Sequence, residues 1–184
     1  DYSTVCATDK FGNLFVLRFP PELSGVAEES SIGFTGVTSQ DISHRLATGA
    51  CIHIGSSVTS LARGTLRGGI GLESTARESS DSDAIIYCTI GGAIGILAPF
   101  TVKPDIEFAT SLEREMRERN LSLVGRSHVS YRSSFYPVKH IVDGDLCEMF
   151  LSLSPDDQIA AADRLERELS DILRKLDDLR ANIL

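Results

Sequence analysis

The chain has 184 residues, 42% of them hydrophobic and 24% charged, which excludes a disordered tail or a fibrous repeat. That length allows one full core or two small ones. Twenty-six acids against eighteen bases give a net charge of -8, which argues against phosphate binding as the main activity, since nucleic-acid affinity rests on clustered cations.

No apolar run reaches the ~18 to 20 residues of a membrane-spanning helix. The longest, Ile90 to Phe100, is interrupted by Gly91, Gly92, Gly95 and Pro99. Tyr2 to Ala7 already reads as the middle of a strand, with no basic stretch leading into an apolar one, so a piece of a longer chain is expected. Cys6, Cys51, Cys88 and Cys147 are far apart and sit in apolar patterns, which predicts reduced cysteines of the cytosol or nucleus.

Tyr2 to Thr8 and Leu14 to Phe19 flank Asp9-Lys10-Phe11-Gly12-Asn13 and predict a hairpin that Pro20-Pro21 ends. Glu22 to Ser43 is a loop rich in Ser, Gly, Thr and Glu. Ala47 to Ile54 and Val58 to Leu66 read as the next pair of strands, joined by Gly55-Ser56-Ser57. A second loop, Arg67 to Ser82, precedes a hairpin of Ala84 to Ile90 and Ala93 to Phe100 around Gly91-Gly92. Short antiparallel pairs of this kind suggest a propeller or a sandwich.

Pro104 opens the helical part. Phe108, Leu112 and Met116 recur at steps of four, with Glu113–Arg117 and Glu115–Arg119 as i,i+4 pairs and Asn120 as the stop, which predicts an amphipathic surface helix. From Ser127 a short helix with Tyr131 and Phe135 on one face, ending before Pro137, is favoured over a strand. Asp143 is an N-cap, Asp145 adds charge to the first turn, and Leu146, Met149, Phe150 and Leu153 form one apolar stripe. Ser154-Pro155-Asp156-Asp157 starts a long helix with a stripe of Ile159, Ala162, Leu165, Leu169, Ile172, Leu176, Leu179 and Ile183, which Ser170-Asp171 can divide in two.

The search for chemistry is mostly negative. Asp143-Gly144-Asp145 with Glu148 invites a metal, but an EF-hand needs an acid where Ser154 stands. His44, His53, His128 and His140 share no ligand spacing, and the glycine clusters match neither a phosphate loop nor a dinucleotide fingerprint. Gly125-Arg126-Ser127-His128-Val129 lacks the closing glycine of a nucleophile elbow. Tyr131, Phe135 and Tyr136 with Arg126 and Arg132 read as buried packing rather than as a base-stacking surface. A hydrolase or metal centre on Asp143, Asp145 and His128 is the competing reading from a different class.

Three stretches taken jointly carry a family resemblance: Asp9 to Asn13, the strand Ile90-Gly91-Gly92-Ala93-Ile94-Gly95-Ile96-Leu97-Ala98-Pro99-Phe100, and Tyr136 to Phe150 with its Asp143-Gly144-Asp145-Leu146-Cys147-Glu148 core. They resemble the C-terminal end of the large triple-propeller proteins of the CPSF-A family, and within it the splicing branch. The resemblance runs the length of the chain, and the loops at 22–43 and 67–82 diverge. It implies a β + α fold: residues 1–100 as closing strands of the last β-propeller, and 101–184 as a helical C-terminal domain. One departure is Arg167-Glu168-Leu169-Ser170, helix-compatible where the relatives carry a proline break.

The resemblance implies a non-enzymatic scaffold of the splicing factor 3b complex in the nuclear U2 small nuclear ribonucleoprotein. Its partners would be a helical-repeat subunit, a very small subunit and other proteins of that particle, with little direct nucleic-acid contact, no cofactor, no metal and no membrane. The alternative is a related adaptor, of damaged-DNA-binding ubiquitin ligases or of polyadenylation. Candidate partner contacts are Arg126, Tyr131, Arg132 and the stripe through Leu165, Leu169 and Leu176. Asp143, Gly144, Asp145, Leu146 and Phe150 are expected to form a structural junction that fastens the helical domain to the propeller.

Overall fold

Asp9 turns the chain back on itself. Its Oδ1 accepts from the backbone N–H groups of Phe11 and Asn13 at 2.9 and 3.0 Å, and Gly12 takes a φ of +82° that a side chain would resist. From this turn β1 (Thr4–Thr8) and β2 (Asn13–Arg18) run antiparallel, and β3 (Ala47–His53) pairs with the other edge of β2. A second sheet has the order β4 (Val58–Arg63), β5 (Ile85–Thr89) and β6 (Ile94–Leu97), again antiparallel. The computed structural model describes residues 4–19, 46–64, 84–119, 125 and 127–183. The predicted loops at 22–43 and 67–82, Pro20-Pro21, the Asn120 stop and the contact candidate Arg126 lie outside these residues.

The first and last hairpins form as predicted. In the last, Gly92 has a φ of +84°, and Thr89 and Ala93 exchange hydrogen bonds across the turn. The middle pair does not form: β3 pairs back with β2, and β4 pairs onward with β5. The residues expected to close that hairpin hold the Asp9 turn instead. Ile54 N–H donates to Gly12 O at 2.8 Å, and Ser57 Oγ donates to Lys10 O at 2.7 Å. Gly12 has no room for a Cβ, which would lie 2.7 Å from Ser56 O. Gly55-Ser56-Ser57 is therefore a clamp on the Asp9 turn.

The helices are α1 (Lys103–Arg119), α2 (His128–Arg132), α3 (Gly144–Glu148), α4 (Pro155–Arg164) and α5 (Leu169–Ile183), with a 3-10 turn over Met149–Ser152. Their core gathers Phe108, Leu112 and Met116 of α1 with Leu146, Phe150 and Ile172. Ala109, Glu113 and Glu115 are buried too, while Glu107, Thr110, Arg114 and Glu118 are exposed, so α1 is the amphipathic helix expected, with one face in this core. Both expected ion pairs form, Arg117–Glu113 at 3.2 Å and Arg119–Glu115 at 2.5 Å.

Two stripe positions depart from expectation. Met149 is 42% exposed because Leu146, Cys147 and Phe150 centre the buried face, and at about 100° per residue Met149 falls outside it. Ile159 is 51% exposed, while the small Ala161 and Ala162 let α4 approach the core closely. The long helix divides at Leu165–Glu168, ahead of Ser170-Asp171. Arg167 N–H donates to Ala162 O and Glu166 N–H to Asp163 O, with Glu166 at a φ of +52°, which is a Schellman end built on glutamate.

Among the described residues every strand precedes Phe100 and every helix follows it. The contacts divide the chain differently, into two interleaved units. One comprises Asp1–Ser57 with Val129–Ile141, the other Val58–His128 with Val142–Leu184.

Candidate interaction surface

The segment 129–141 belongs to the first unit and is tied to β3 along its length. Cys51 and Lys139 exchange backbone hydrogen bonds at 3.0 and 2.9 Å, Lys139 Nζ donates to Thr48 O at 2.6 Å, and His140 Nδ1 lies 2.8 Å from Gly49 O. Arg132 donates to His53 O at 3.3 Å. Cys51, Ile52 and His53 are consecutive and all buried, so the end of β3 is covered on both faces. A half-buried strand would alternate there.

At the centre is a polar relay. Asn13 is fully buried. Its Nδ2 donates to Asp9 Oδ2 at 2.7 Å, which turns its Oδ1 toward His53 Nδ1 at 3.0 Å and makes that nitrogen the donor. Burial, and then the Arg132 charge, hold the His53 pKa below its ordinary value, with Asp9 pulling the other way. Burial pushes the Asp9 carboxyl up. Hydrogen bonds from Asn13 and Phe11, with His53 nearby, nevertheless hold it below the usual carboxylate range.

Aromatic rings pack around the relay. His53 meets Tyr131 edge-on at 5.6 Å and Phe135 at 5.3 Å, Phe135 stacks on Phe11 at 5.1 Å, and Phe15 meets Tyr136 at 5.3 Å. Lys10 Nζ lies 5.0 Å over Phe11, and the Arg132 guanidinium 5.6 Å from the Tyr131 ring. The expectation of buried packing is corrected in one respect: Tyr131, Phe135 and Tyr136 remain 45 to 52% exposed, and so does Phe11, at 53%. Helix α2 ends at Arg132, so Phe135 joins Tyr131 from the turn beyond it rather than from a shared helical face.

The other candidate residues lie in the second unit. Asp143 caps α3 as predicted, accepting from Leu146 N–H at 3.4 Å, while its own N–H donates to Glu113 Oε1 at 3.3 Å. His128 Nε2 lies 3.0 Å from Asp143 Oδ2, so the structure does bring this pair of the hydrolase reading together. Asp145 is exposed in the first turn, and among the described residues no group of three or more His, Cys, Asp or Glu is placed to hold a metal ion. Leu146 and Phe150 are core residues and Gly144 is the first residue of α3. Cys147 is buried, its Sγ 3.6 Å from Ala109 O; burial, then Glu113, Asp143 and Glu148, push its thiol up to about 12. All four cysteines are free thiols.

The stripe proposed for a partner faces inward. Leu176 is buried, and Leu165 and Leu169 pack against the same core. Once the helix breaks at Leu165–Glu168, α5 lies with α4 over α1, and the apolar positions are used within the chain. Sequence reasoning missed Lys10 and Phe11 as parts of a surface, and Asn13 and His53 as its buried support. Only Phe11, a large apolar residue inside a polar tight turn, carried a signal for it.

A model of the CPSF A subunit region matches residues 1–152. A probable splicing factor 3B subunit 3 of Dictyostelium discoideum is 40% identical over 188 residues, covering 100% of this chain and 14% of the relative. The pre-mRNA-splicing factor RSE1 of Mycosarcoma maydis is 39% identical over 184 residues, and splicing factor 3B subunit 3 of Danio rerio 38% identical over 184, each alignment covering 98% of this chain and 14% of the relative. The chain thus spans about one seventh of the length of these relatives, and with the match over residues 1–152 it belongs to the CPSF A subunit family.

Proposed function

We propose that this chain is part of a non-enzymatic splicing scaffold of the splicing factor 3b complex, acting in the nucleus within the U2 small nuclear ribonucleoprotein. The observation that carries this is identity of 38 to 40% along essentially the whole chain to proteins named as splicing factor 3B subunit 3 and RSE1. These relatives do not favour the damaged-DNA-binding and polyadenylation alternatives. Two three-stranded antiparallel sheets joined by tight turns support residues 1–100 as closing strands of a propeller, each sheet one strand short of a four-stranded blade. Residues 101–184 act as a helical C-terminal domain, with Asp143, Gly144, Asp145, Leu146 and Phe150 as its structural entry. Its partners are the helical-repeat and small subunits of the complex, met through surfaces that include Tyr131 and Arg132.

The test is mass spectrometry of proteins retained by the tagged full-length parent. Subunits of splicing factor 3b are the expected result. Recovery of a cullin, or of cleavage factors, in their place overturns the assignment.

A further inference from the structure

We propose that the strap of residues 129–141 is an edge guard: it closes the outward edge of β3, so that a second copy of this chain cannot add its own β3 there. Strand β3 has β2 on one side. On the other, Cys51 exchanges both backbone hydrogen bonds with Lys139, so Gly49, Cys51 and His53 are the residues whose backbone groups point away from β2. Ala47–His53 contains no acid, lysine, arginine or proline, the residues by which an edge strand resists foreign pairing. Protection comes from the strap instead.

The strap covers this edge without becoming a strand. A ladder continued from the Lys139–Cys51 pair would set Pro137 opposite His53 and Ile141 opposite Gly49. Pro137 has no N–H to donate, and His140 takes a left-handed φ of +50° that ends an extended run. Side chains supply the donors. Arg132 Nη1 donates to His53 O at 3.3 Å, and His140 Nδ1 lies 2.8 Å from Gly49 O, which can only accept. Lys139 Nζ donates to Thr48 O at 2.6 Å. The outward carbonyls of Gly49, Cys51 and His53 are thus all satisfied, and the sheet ends there. A regular fourth strand would satisfy them equally, but would present a fresh edge of its own. Once opened, the β3 edge is self-complementary: two copies running antiparallel bring the same uncharged backbone together about a two-fold axis.

The experiment uses the full-length parent and sedimentation velocity, with the double variant Lys139→Met, His140→Ala first. Both side chains are exposed, so their loss removes donors and leaves the Lys139–Cys51 backbone pair in place. The dimer fraction is expected to rise about three-fold over the natural protein at equal concentration, with an unchanged thermal melt. Lys139→Pro, which also removes the N–H given to Cys51 O, should raise it about ten-fold. Thr48 is exposed on β3, and Thr48→Lys, added to either variant, places there the charge that edge strands use against pairing and should restore the natural dimer fraction. An unchanged dimer fraction in the double variant overturns the proposal. So does association that Thr48→Lys leaves in place, because its source is then an unfolded segment and not the β3 edge. Should Lys139→Pro melt early, the double variant and its Thr48→Lys partner decide.

Discussion

Phe150 has no solvent exposure and sits among Phe108, Leu112, Met116 and Ile172, while its carbonyl accepts from Gln158 Nε2 at 3.1 Å. Removing its ring leaves a cavity in the core that the helices share. Phe150→Ala is therefore expected to cost about 3 to 5 kcal/mol, read as a lowered midpoint in urea denaturation. An unchanged midpoint would show that the helical core does not contribute to the measured stability. Glu166 is the opposite case, an exposed residue held at a φ of +52° by the Schellman hydrogen bonds that end α4. Left-handed backbone costs a residue with a Cβ about 1 kcal/mol, and glycine escapes that cost. Glu166→Gly should raise stability by about 0.5 to 1 kcal/mol in the same assay, and a loss of stability would count against this backbone conformation. The sequence hid this position because glutamate favours helix interiors and nothing in Arg164 to Ser170 breaks a helix by composition. What ends the helix is tertiary: Ala161 and Ala162 bring α4 close to the core while Leu165 and Leu169 turn toward the same core.

Elements whose signals are local were legible. The Asp9 turn, the Gly92 turn, the Asp143 and Ser154 caps and the Phe108-Leu112-Met116 stripe each depend on residues within about one or two turns of one another. The pairing of β3 with β2 depends on partners 29 to 40 residues away, and no property of Gly55-Ser56-Ser57 says that it will bind a distant turn instead of closing a hairpin. The strap of residues 129–141 is legible in composition and not in placement, since Tyr131, Phe135 and Tyr136 give no hint that His53 is their centre. That centre gives the strap a pH dependence with a definite sign. His53 in the fold binds its proton less readily than the ordinary value of 6.5, while the unfolded chain binds near it. Its contribution to stability is therefore complete above that value and falls as the pH drops below 6.5 toward the folded pKa. Asp9, also lowered, loses its contribution only below the carboxylate value of 3.8. Denaturation midpoints at about pH 7.5 and 5.5 should differ in the natural chain and differ less in His53→Gln. An equal difference in both proteins would remove His53 as the cause.

Across the whole molecule, division by secondary-structure type and division by contact are different cuts, and the difference can be measured. All described strands precede Phe100, yet the first sheet is completed by residues 129–141, which lie among the helices in sequence. Separating 1–100 from 101–184 would strip β3 of the Lys139 backbone pair, the Lys139 and His140 side-chain contacts and the rings over His53. It would leave Cys51 N–H and O without the Lys139 partners they have in the intact chain, and each such hydrogen bond contributes about 0.5 to 1.5 kcal/mol, besides the burial lost with the rings. Several such losses together approach the whole stability of a small domain, about 5 to 15 kcal/mol. The segment 1–100 produced alone should therefore be poorly folded, and co-expression with 101–184 should restore it as a complex that a tag on either segment recovers. Deleting residues 129–141 from the second segment should abolish that recovery. If 1–100 instead gives a sharp melt by itself, or the deletion leaves the complex intact, the strap is an accessory of the sheet and not part of its fold. The ring surface would then need support from elsewhere in the protein, because the same thirteen residues supply Tyr131, Phe135 and Tyr136.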